Sequence, residues 1–455
     1  MRLCFAFLLC AGVPVAFPLV AEEEKKVAPA VQVPPGAPAK KTDFESPTQP
    51  PPQYNINLPT GEQEQPVYFT KDLTLRIGTT EIGFYGFFKG DLLAETRITG
   101  NTADVRPDLI PLDRNLAGKH TQTLFDARDS RIGIKIEDEI NEIKMKGAVE
   151  ADFYTEDGTA IHVNSRHMRL RLAYGTAELP SHFFFLAGQY YTLAMHYPEI
   201  DMPTRVNLVH FPPGVVNSRQ PQYRVGYKQY FSPTSLLQYE LNAELQGYNT
   251  TGIVIENDSD TAEGSFQKWP LFTAKVCWLN KMFKWNIAYS RGEAYAVTSK
   301  TLGTRLHTPV WGVLSTASFT WKDLLIWGTL HHWVGLTGLS SNYLEQITLV
   351  NQGKRLTSLH ANGGCIALRY DFLSRALWMD VMYGVERGQE VPSSERFTGE
   401  RMKKIQDFRV NLIGAFWGHW QIGAEYERTW VESFSGHTGL VDMVHIGVWY
   451  VFGQP

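Results

Sequence analysis

The feature that most constrains this chain is an alternation of period two that runs from about Glu81 to Phe452. In the last segment, Val444–Phe452, every second residue is apolar or aromatic. A period of two gives a β-strand one apolar face, and segments of about ten residues can cross a bilayer as tilted strands. One alternating segment proves little, since any half-buried strand alternates. About sixteen such segments, however, are typical of an outer-membrane β-barrel.

The gaps between these segments strengthen the prediction because they are alternately short and long. After the second, fourth and every later even segment the gap is a few residues, whereas the intervening gaps are much longer. Bacterial barrels combine short periplasmic turns with long external loops, and they have an even number of strands. The sequence therefore predicts an all-β, 16-stranded antiparallel transmembrane barrel, with these strands: Ile82–Glu95, Thr123–Glu137, Ile143–Tyr154, Asn164–Thr176, His182–Thr192, Pro221–Phe231, Leu236–Gly247, Lys268–Trp278, Phe283–Gly292, Trp311–Trp321, Asp323–Gly335, Ser358–Phe372, Arg375–Glu386, Lys403–Phe416, His419–Trp430 and Asp442–Phe452.

The N-terminal part predicts export. Residues 1–21 combine a basic start, an apolar run and small residues before Glu22, which is typical of a signal peptide. Residues 22–66 are Pro-rich and polar and predict a disordered periplasmic linker, and residues 67–455 form the barrel domain. Removal of the signal peptide leaves two cysteines, Cys277 and Cys365, which we expect to be packed thiols. The net charge of −4 gives no reason to expect a nucleic-acid partner.

Parity along the strands assigns the side chains that face the lumen. In the second strand Arg131 and Lys135 alternate with Ile132, Ile134 and Ile136. In the fourth, the alternation places His167, Arg169 and Arg171 inside and Met168, Leu170, Leu172 and Tyr174 outside. A lumen that holds many charges must be wet, because each unpaired ion in a dry interior costs several kcal/mol. Sixteen strands enclose a bore wide enough for water and small solutes.

The long gap from Leu193 to Gln220 is the candidate constriction, the third of the long loops. We expect it to fold into the lumen. Its charged residues are Glu199, Asp201, Arg205 and Arg219, and it would face inward bases of neighbouring strands, Arg131, Arg169, Arg171, Arg224 and Lys228. Cations at a narrow place favour anions. The alternative is that inward carboxylates pair with these bases and leave little selectivity.

Several short motifs resemble the DcaP-like trimeric porins of Gram-negative outer membranes. They include Gly83–Asp91, Ala127–Gly133, Arg169–Gly175, Ala187–Thr192 and Ser218–Arg224. The resemblance implies a sixteen-stranded homotrimer that passes small, preferentially anionic solutes such as dicarboxylates, with Arg131, Arg171, Arg219 and Arg224 at the positions of the family's motif bases. The chain departs from the family in two places. A Pro-rich stretch replaces the usual helical segment before the barrel, and Gly453–Pro455 follow the aromatic Phe452.

Other functions remain open. An enzyme is not expected, because no Ser-His-acid set is evident and the neighbours His331 and His332 must point to opposite faces of a strand. No metal site or cofactor is expected. A sugar channel is one alternative, suggested by four tryptophans assigned to the lumen, although interface-girdle or trimer-contact roles explain them more simply: Trp321, Trp327, Trp333 and Trp378. A non-conducting structural barrel is another.

The expected partners follow from the location. They are the lipid bilayer with its lipopolysaccharide, two further copies of the chain, small anionic solutes and the barrel-assembly machinery.

Overall fold

The computed structural model describes residues 68–69, 73–99, 110–154, 167–195, 206, 211–245, 269–297, 305–336, 347–350, 355–373, 376–388 and 402–453. All of them belong to the unit Glu64–Pro455. The predicted signal peptide and linker lie outside the described residues. Among the described residues, no helix is long and apolar enough to cross a membrane.

Sixteen antiparallel strands form one closed barrel, as the alternation predicts. Each strand pairs with its neighbours in the sequence, and the last strand pairs with the first from Met443↔Glu95 to Phe452↔Gly86. The strands are β1 (Thr80–Glu95), β2 (Gln122–Asp126 and Arg131–Ile140), β3 (Ile143–Asp152), β4 (Arg169–Glu178), β5 (Phe183–Tyr191), β6 (Arg219–Ser232), β7 (Ser235–Glu244), β8 (Leu271–Asn280), β9 (Phe283–Val297), β10 (Arg305–Trp321), β11 (Leu324–Val334), β12 (His360–Asp371), β13 (Leu377–Gly388), β14 (Met402–Phe416), β15 (Trp420–Ser433) and β16 (Thr438–Phe452).

Short elements outside the barrel were not predicted from the sequence. Thr74–Ile77 pairs with the start of β1 and with Tyr68–Phe69. Ile347–Val350 and Arg355–Ser358 form a separate hairpin between β11 and β12. Segments this short carry too few alternating positions to be recognised by pattern.

The two faces of the barrel are chemically distinct. The outward face exposes apolar side chains such as Ile136, Val149 and Leu241, whereas charged residues such as Glu150 and Glu240 are buried on the inward face. A closed sheet with an apolar outer surface satisfies its own backbone hydrogen bonds and can lie in lipid. Its outer face therefore suits the barrel to an outer membrane.

A β-bulge reverses the parity of β4, and the sequence-based assignment there is wrong. The register with β3 shifts between Glu150 and Ala151, so that Glu150 lies opposite Leu172 and Arg171 is the extra residue. Leu172 is consequently buried inside the barrel, where it packs with Tyr174 rather than facing lipid. A bulge inserts one residue, and one residue is enough to turn every later side chain to the other face.

The external half of the lumen holds an apolar cluster, which the polar inward set did not suggest. Inward residues near the long-loop ends of β8–β16 and β1, for example Trp333 and Leu93, pack against Ile110 of the first long loop and Met195 of the third. Loops fold inside the barrel and cover this part of the wall. The open bore is therefore narrower than the strand number alone implies.

Candidate pore constriction

The third loop, residues 192–218, enters the barrel, and Val206 marks one point of contact with the wall. The Val206 backbone N–H donates to Glu425 Oε2 at 3.0 Å, and its carbonyl accepts from Lys89 Nζ at 2.7 Å. The Val206 side chain is fully buried among Trp378, Trp449 and neighbouring apolar groups. Two charged wall residues therefore hold the backbone of a single loop residue on both sides.

The segment Pro212–Val216 lies directly on the inner wall of β12 and β13. A Cβ added to Gly214 would meet the backbone atoms of Gly364 at 2.4–2.6 Å, and Gly214 has a φ of +89°. A Cβ added to Gly384 would meet the carbonyl oxygen of Pro213 at 2.4 Å. Backbone therefore rests on backbone, and this contact requires residues without side chains.

Buried tryptophans form the surface beneath the loop. Trp327 packs with Val215, and Trp378 packs with Val206. Trp333 is fully buried in the apolar cluster. These three side chains face inward, as predicted, but they support the loop rather than form a membrane girdle or a trimer contact. Trp321, by contrast, is 54% exposed and points outward, so its assignment to the lumen is wrong.

These contacts place the described parts of the third loop on the inner wall, far from the strands that the loop connects. The loop leaves the wall between β5 and β6. Described contacts lie on β12, β13 and β15, about half the circumference away, and on β1. Lys275 of β8 adds a further contact, donating from Nζ to the carbonyl of Met195 at 3.2 Å. The prediction that this loop folds into the barrel agrees with these contacts.

Four arginines gather on the wall from which the loop departs. Arg171 donates to Glu150 at 2.7 Å and to Asp152 at 2.6 Å, and Arg169 forms a two-bonded pair with Asp152. Arg131 lies 3.6 Å from Glu150. Charged guanidinium groups paired with carboxylates in this way are held firmly in position.

Arg219 completes the arginine cluster but bonds to no carboxylate among the described residues. Its guanidinium stacks 5.8 Å from the centre of the Tyr191 ring. It lies close enough to be repelled by Arg131, Arg169 and Arg171. Among the described residues, the four guanidinium groups thus share two carboxylates, Glu150 and Asp152, so the arginine cluster, defined as these four arginines, carries more positive than negative charge in that part of the chain.

The other two predicted bases of the wall strands, Arg224 and Lys228, are neutralised by ion pairs. Arg224 donates to Glu240 at 3.1 Å and to Gln222, and its guanidinium lies 5.5 Å from the centre of the Tyr190 ring. Lys228 donates to Glu178 at 2.6 Å. The alternative interpretation, that inward bases form cross-strand ion pairs, therefore describes these two residues well.

The wall under the far side of the loop is acidic. Arg409 is fully buried, donates to Asp407 at 2.8 Å, and lies 3.1 Å from Glu427 and 3.9 Å from Glu425. Three carboxylates thus surround one guanidinium. The arginine cluster and this acidic wall lie on different sides of the bore, and opposed charges of this kind produce a field across it.

The predicted loop residues Glu199, Asp201 and Arg205 lie outside the described residues. Lys89, Lys275 and Glu425, which hold the loop, were missed as site residues. Parity alone could place them inside, but nothing in their own strands indicates that a distant loop would bind them.

The structure offers no sign of a metal centre or disulfide within its described part. No group of His, Cys, Asp and Glu there could hold a metal ion. Cys277 and Cys365 are buried thiols that form no disulfide, as expected for packed thiols. His331 is buried beside Trp333, and His332 bonds to the outward Asn362, which confirms their opposite directions.

The architecture is that of a porin: sixteen antiparallel strands, an apolar outer face and a loop whose described parts lie inside the barrel. The outer-membrane channel DcaP of Acinetobacter baumannii is similar, with 18% identity over 85% of this chain and 99% of its own, and a TM-score of 0.62. The anion-selective porin from Comamonas acidovorans is 8% identical over 82% of this chain and 100% of its own, with a TM-score of 0.51. OmpF of Salmonella typhi in complex with daunomycin is 11% identical over 82% of this chain and 98% of its own, also with a TM-score of 0.51.

No protein-family model and no curated protein matches the chain. At these identities the structural likeness shows the fold, which is the DcaP-like porin barrel that the sequence motifs resemble.

Proposed function

We propose that this protein is an outer-membrane porin that lets small hydrophilic, preferentially anionic solutes such as dicarboxylates diffuse passively through a water-filled path. The arginine cluster carries this proposal, because its four guanidinium groups share only two of the carboxylates that the structure describes. A narrow place lined by excess positive charge lowers the energy of an anion and raises that of a cation.

The path would run beside the arginine cluster. The third loop and the apolar cluster fill the part of the bore against β8–β16. The inward lysines of β3, Lys144 and Lys146, are exposed at the short-turn end below the arginine cluster. An anion that entered past the loop would meet Arg219 and then these lysines.

Arg219 gives the sharpest test of anion preference, since no described carboxylate holds it. The purified, refolded protein would be placed in a planar bilayer under a salt gradient, and the reversal potential measured. We expect wild type to favour anions and Arg219→Gln to lose much of that preference with little loss of folded barrel. Lys322→Gln, which removes a cation at a periplasmic turn, is the matched control. An unchanged reversal potential in Arg219→Gln would contradict the proposed role.

The same recording separates the competing functions. A non-conducting barrel is favoured by the apolar cluster inside the lumen, and folded protein without conductance would support it. A sugar channel needs aromatic side chains along the open path, whereas Trp327 and Trp333 are buried under the loop. We also propose a homotrimer, for which conductance should close in three equal steps.

A further inference from the structure

The external end of β13–β15 carries a basic patch on the outer surface of the barrel. In β13, Tyr383 is exposed on the outward face and Glu386 is buried inside, so Arg387 points outward and is exposed. In β14, Ile405 is buried inside, and Lys404 lies on the outward face opposite Arg387. Two cations directly opposite each other on neighbouring strands repel and destabilise the pair.

A β-bulge adds a third cation to the same face. The register between β14 and β15 shifts between Met402 and Lys404, which leaves Lys403 as an extra residue. Lys403 Nζ nevertheless donates to Glu432 Oε1 at 2.6 Å, and Glu432 is the cross-strand partner of Lys404. Bulges commonly redirect a side chain in this way. The consecutive residues Lys403 and Lys404 therefore both lie beside Glu432 on the outward face.

Over the described residues, this rim patch, defined as Arg387, Lys403 and Lys404, has a net positive charge. All three cations attract the carboxylate of Glu432. No other ion pair with Arg387 or Lys404 occurs among the described residues. Three cations with one carboxylate partner can bind a further anion.

The height of the rim patch matches the outer boundary of the membrane. Leu377 begins β13 at the short-turn end, and Arg387 lies ten residues further along the strand. A tilted strand rises about 25 Å over that length. Just below it, Tyr383 accepts a hydrogen bond from Gln406, and Arg428 lies over the ring of Trp430. Aromatic and amide groups of this kind line the interface between acyl chains and headgroups.

We propose that the rim patch binds the phosphate of a phosphorylated glycolipid in the outer leaflet, the lipid part of lipopolysaccharide. The patch faces away from the lumen, so a solute passing through the pore cannot reach it. An arginine fork and two ammonium groups suit a phosphate with two negative charges. The acyl chains of the same lipid would lie on the apolar surface below. This site is independent of the selectivity proposed for the pore.

Binding of purified diphosphoryl lipid A to the refolded protein tests this site, with native mass spectrometry in detergent as the measurement. We expect Lys403→Gln/Lys404→Gln to bind about tenfold more weakly, since it loses two ammonium donors to the phosphate and leaves the carboxylate of Glu432 without the ion pair of Lys403. The control is Lys144→Gln/Lys146→Gln, which also removes two lysines and one ion pair, that of Lys146 with Glu137. The control should bind like wild type.

Each alternative interpretation of the rim patch predicts a different binding result. Equal binding of dephosphorylated lipid A would mean that the contact is only apolar and would overturn the proposal, as would wild-type affinity in Lys403→Gln/Lys404→Gln. Displacement of the lipid by inorganic phosphate alone would point to a free anion instead. Dissociation of an oligomer in this variant, with lipid binding intact, would identify the rim patch as a subunit contact.

Discussion

Gly384 allows the third loop to lie against the wall because it has no side chain. Its inward position in β13 is filled by the carbonyl of Pro213, which lies 2.4 Å from where a Cβ would be. Gly214 of the loop makes a similar approach to the backbone of Gly364. The backbone of the loop therefore contacts the backbone of the wall directly. Any side chain at these two glycine positions would push the loop into the bore.

Gly384→Ala should change the pore without unfolding the barrel. The added methyl group must displace the segment around Pro213, so we expect a changed single-channel conductance and a weaker anion preference, measured in planar bilayers. Gly328→Ala is the control, because its Cβ would have only an ordinary contact, 3.5 Å from Cys365 O. If both variants conduct like wild type, the loop is not held where the glycines meet.

Bulges decide which face of a strand is wet. In β4 the shift at Glu150/Ala151 brings Arg169 and Arg171 to two carboxylates of β3 while it also turns Leu172 inward. At the external rim another shift brings Lys403 and Lys404 to one carboxylate. In both cases two consecutive side chains, Arg171 with Leu172 and Lys403 with Lys404, share one face where simple alternation would separate them.

Cysteine labelling tests the bulge in β4. Thr176 lies opposite the inward Leu186, and Ala177 lies opposite the outward Phe185. A charged, water-soluble thiol reagent should therefore modify Thr176→Cys from the lumen and leave Ala177→Cys in lipid unmodified. The wild type sets the background, since Cys277 and Cys365 are both buried. The reverse labelling pattern would mean that parity continues unbroken from Arg171.

The whole barrel separates two solvents, with lipid outside and water and loops inside. Val149 is 55% exposed on the outer surface, and its neighbour Ala148 faces inward opposite Lys135. A charge in the apolar band has no partner and must be desolvated or drawn to the interface. The same charge at position 148, in the lumen, stays hydrated and lies opposite the cation of Lys135.

Val149→Glu should therefore impair folding into lipid vesicles, whereas Ala148→Glu should not. Basic residues at the midplane cost about 2–4 kcal/mol and carboxylates less, so we expect a loss of about 1–2 kcal/mol for Val149→Glu. Denaturant titration of folding into vesicles measures both variants. Equal stability would mean that the two faces of β3 are exchanged.

The sequence by itself determined the sixteen strands, their order and most of their faces, because the period of two is a local property of each strand. It also supplied Arg131, Arg169, Arg171 and Arg219, which the structure brings together. The tertiary structure decided what lies inside. The contacts of Val206 with Lys89 and Glu425, and of Gly214 with Gly364, join residues more than a hundred positions apart, and no local pattern records them. It also decided where bulges break the alternation, since an extra residue depends on the register of the neighbouring strand.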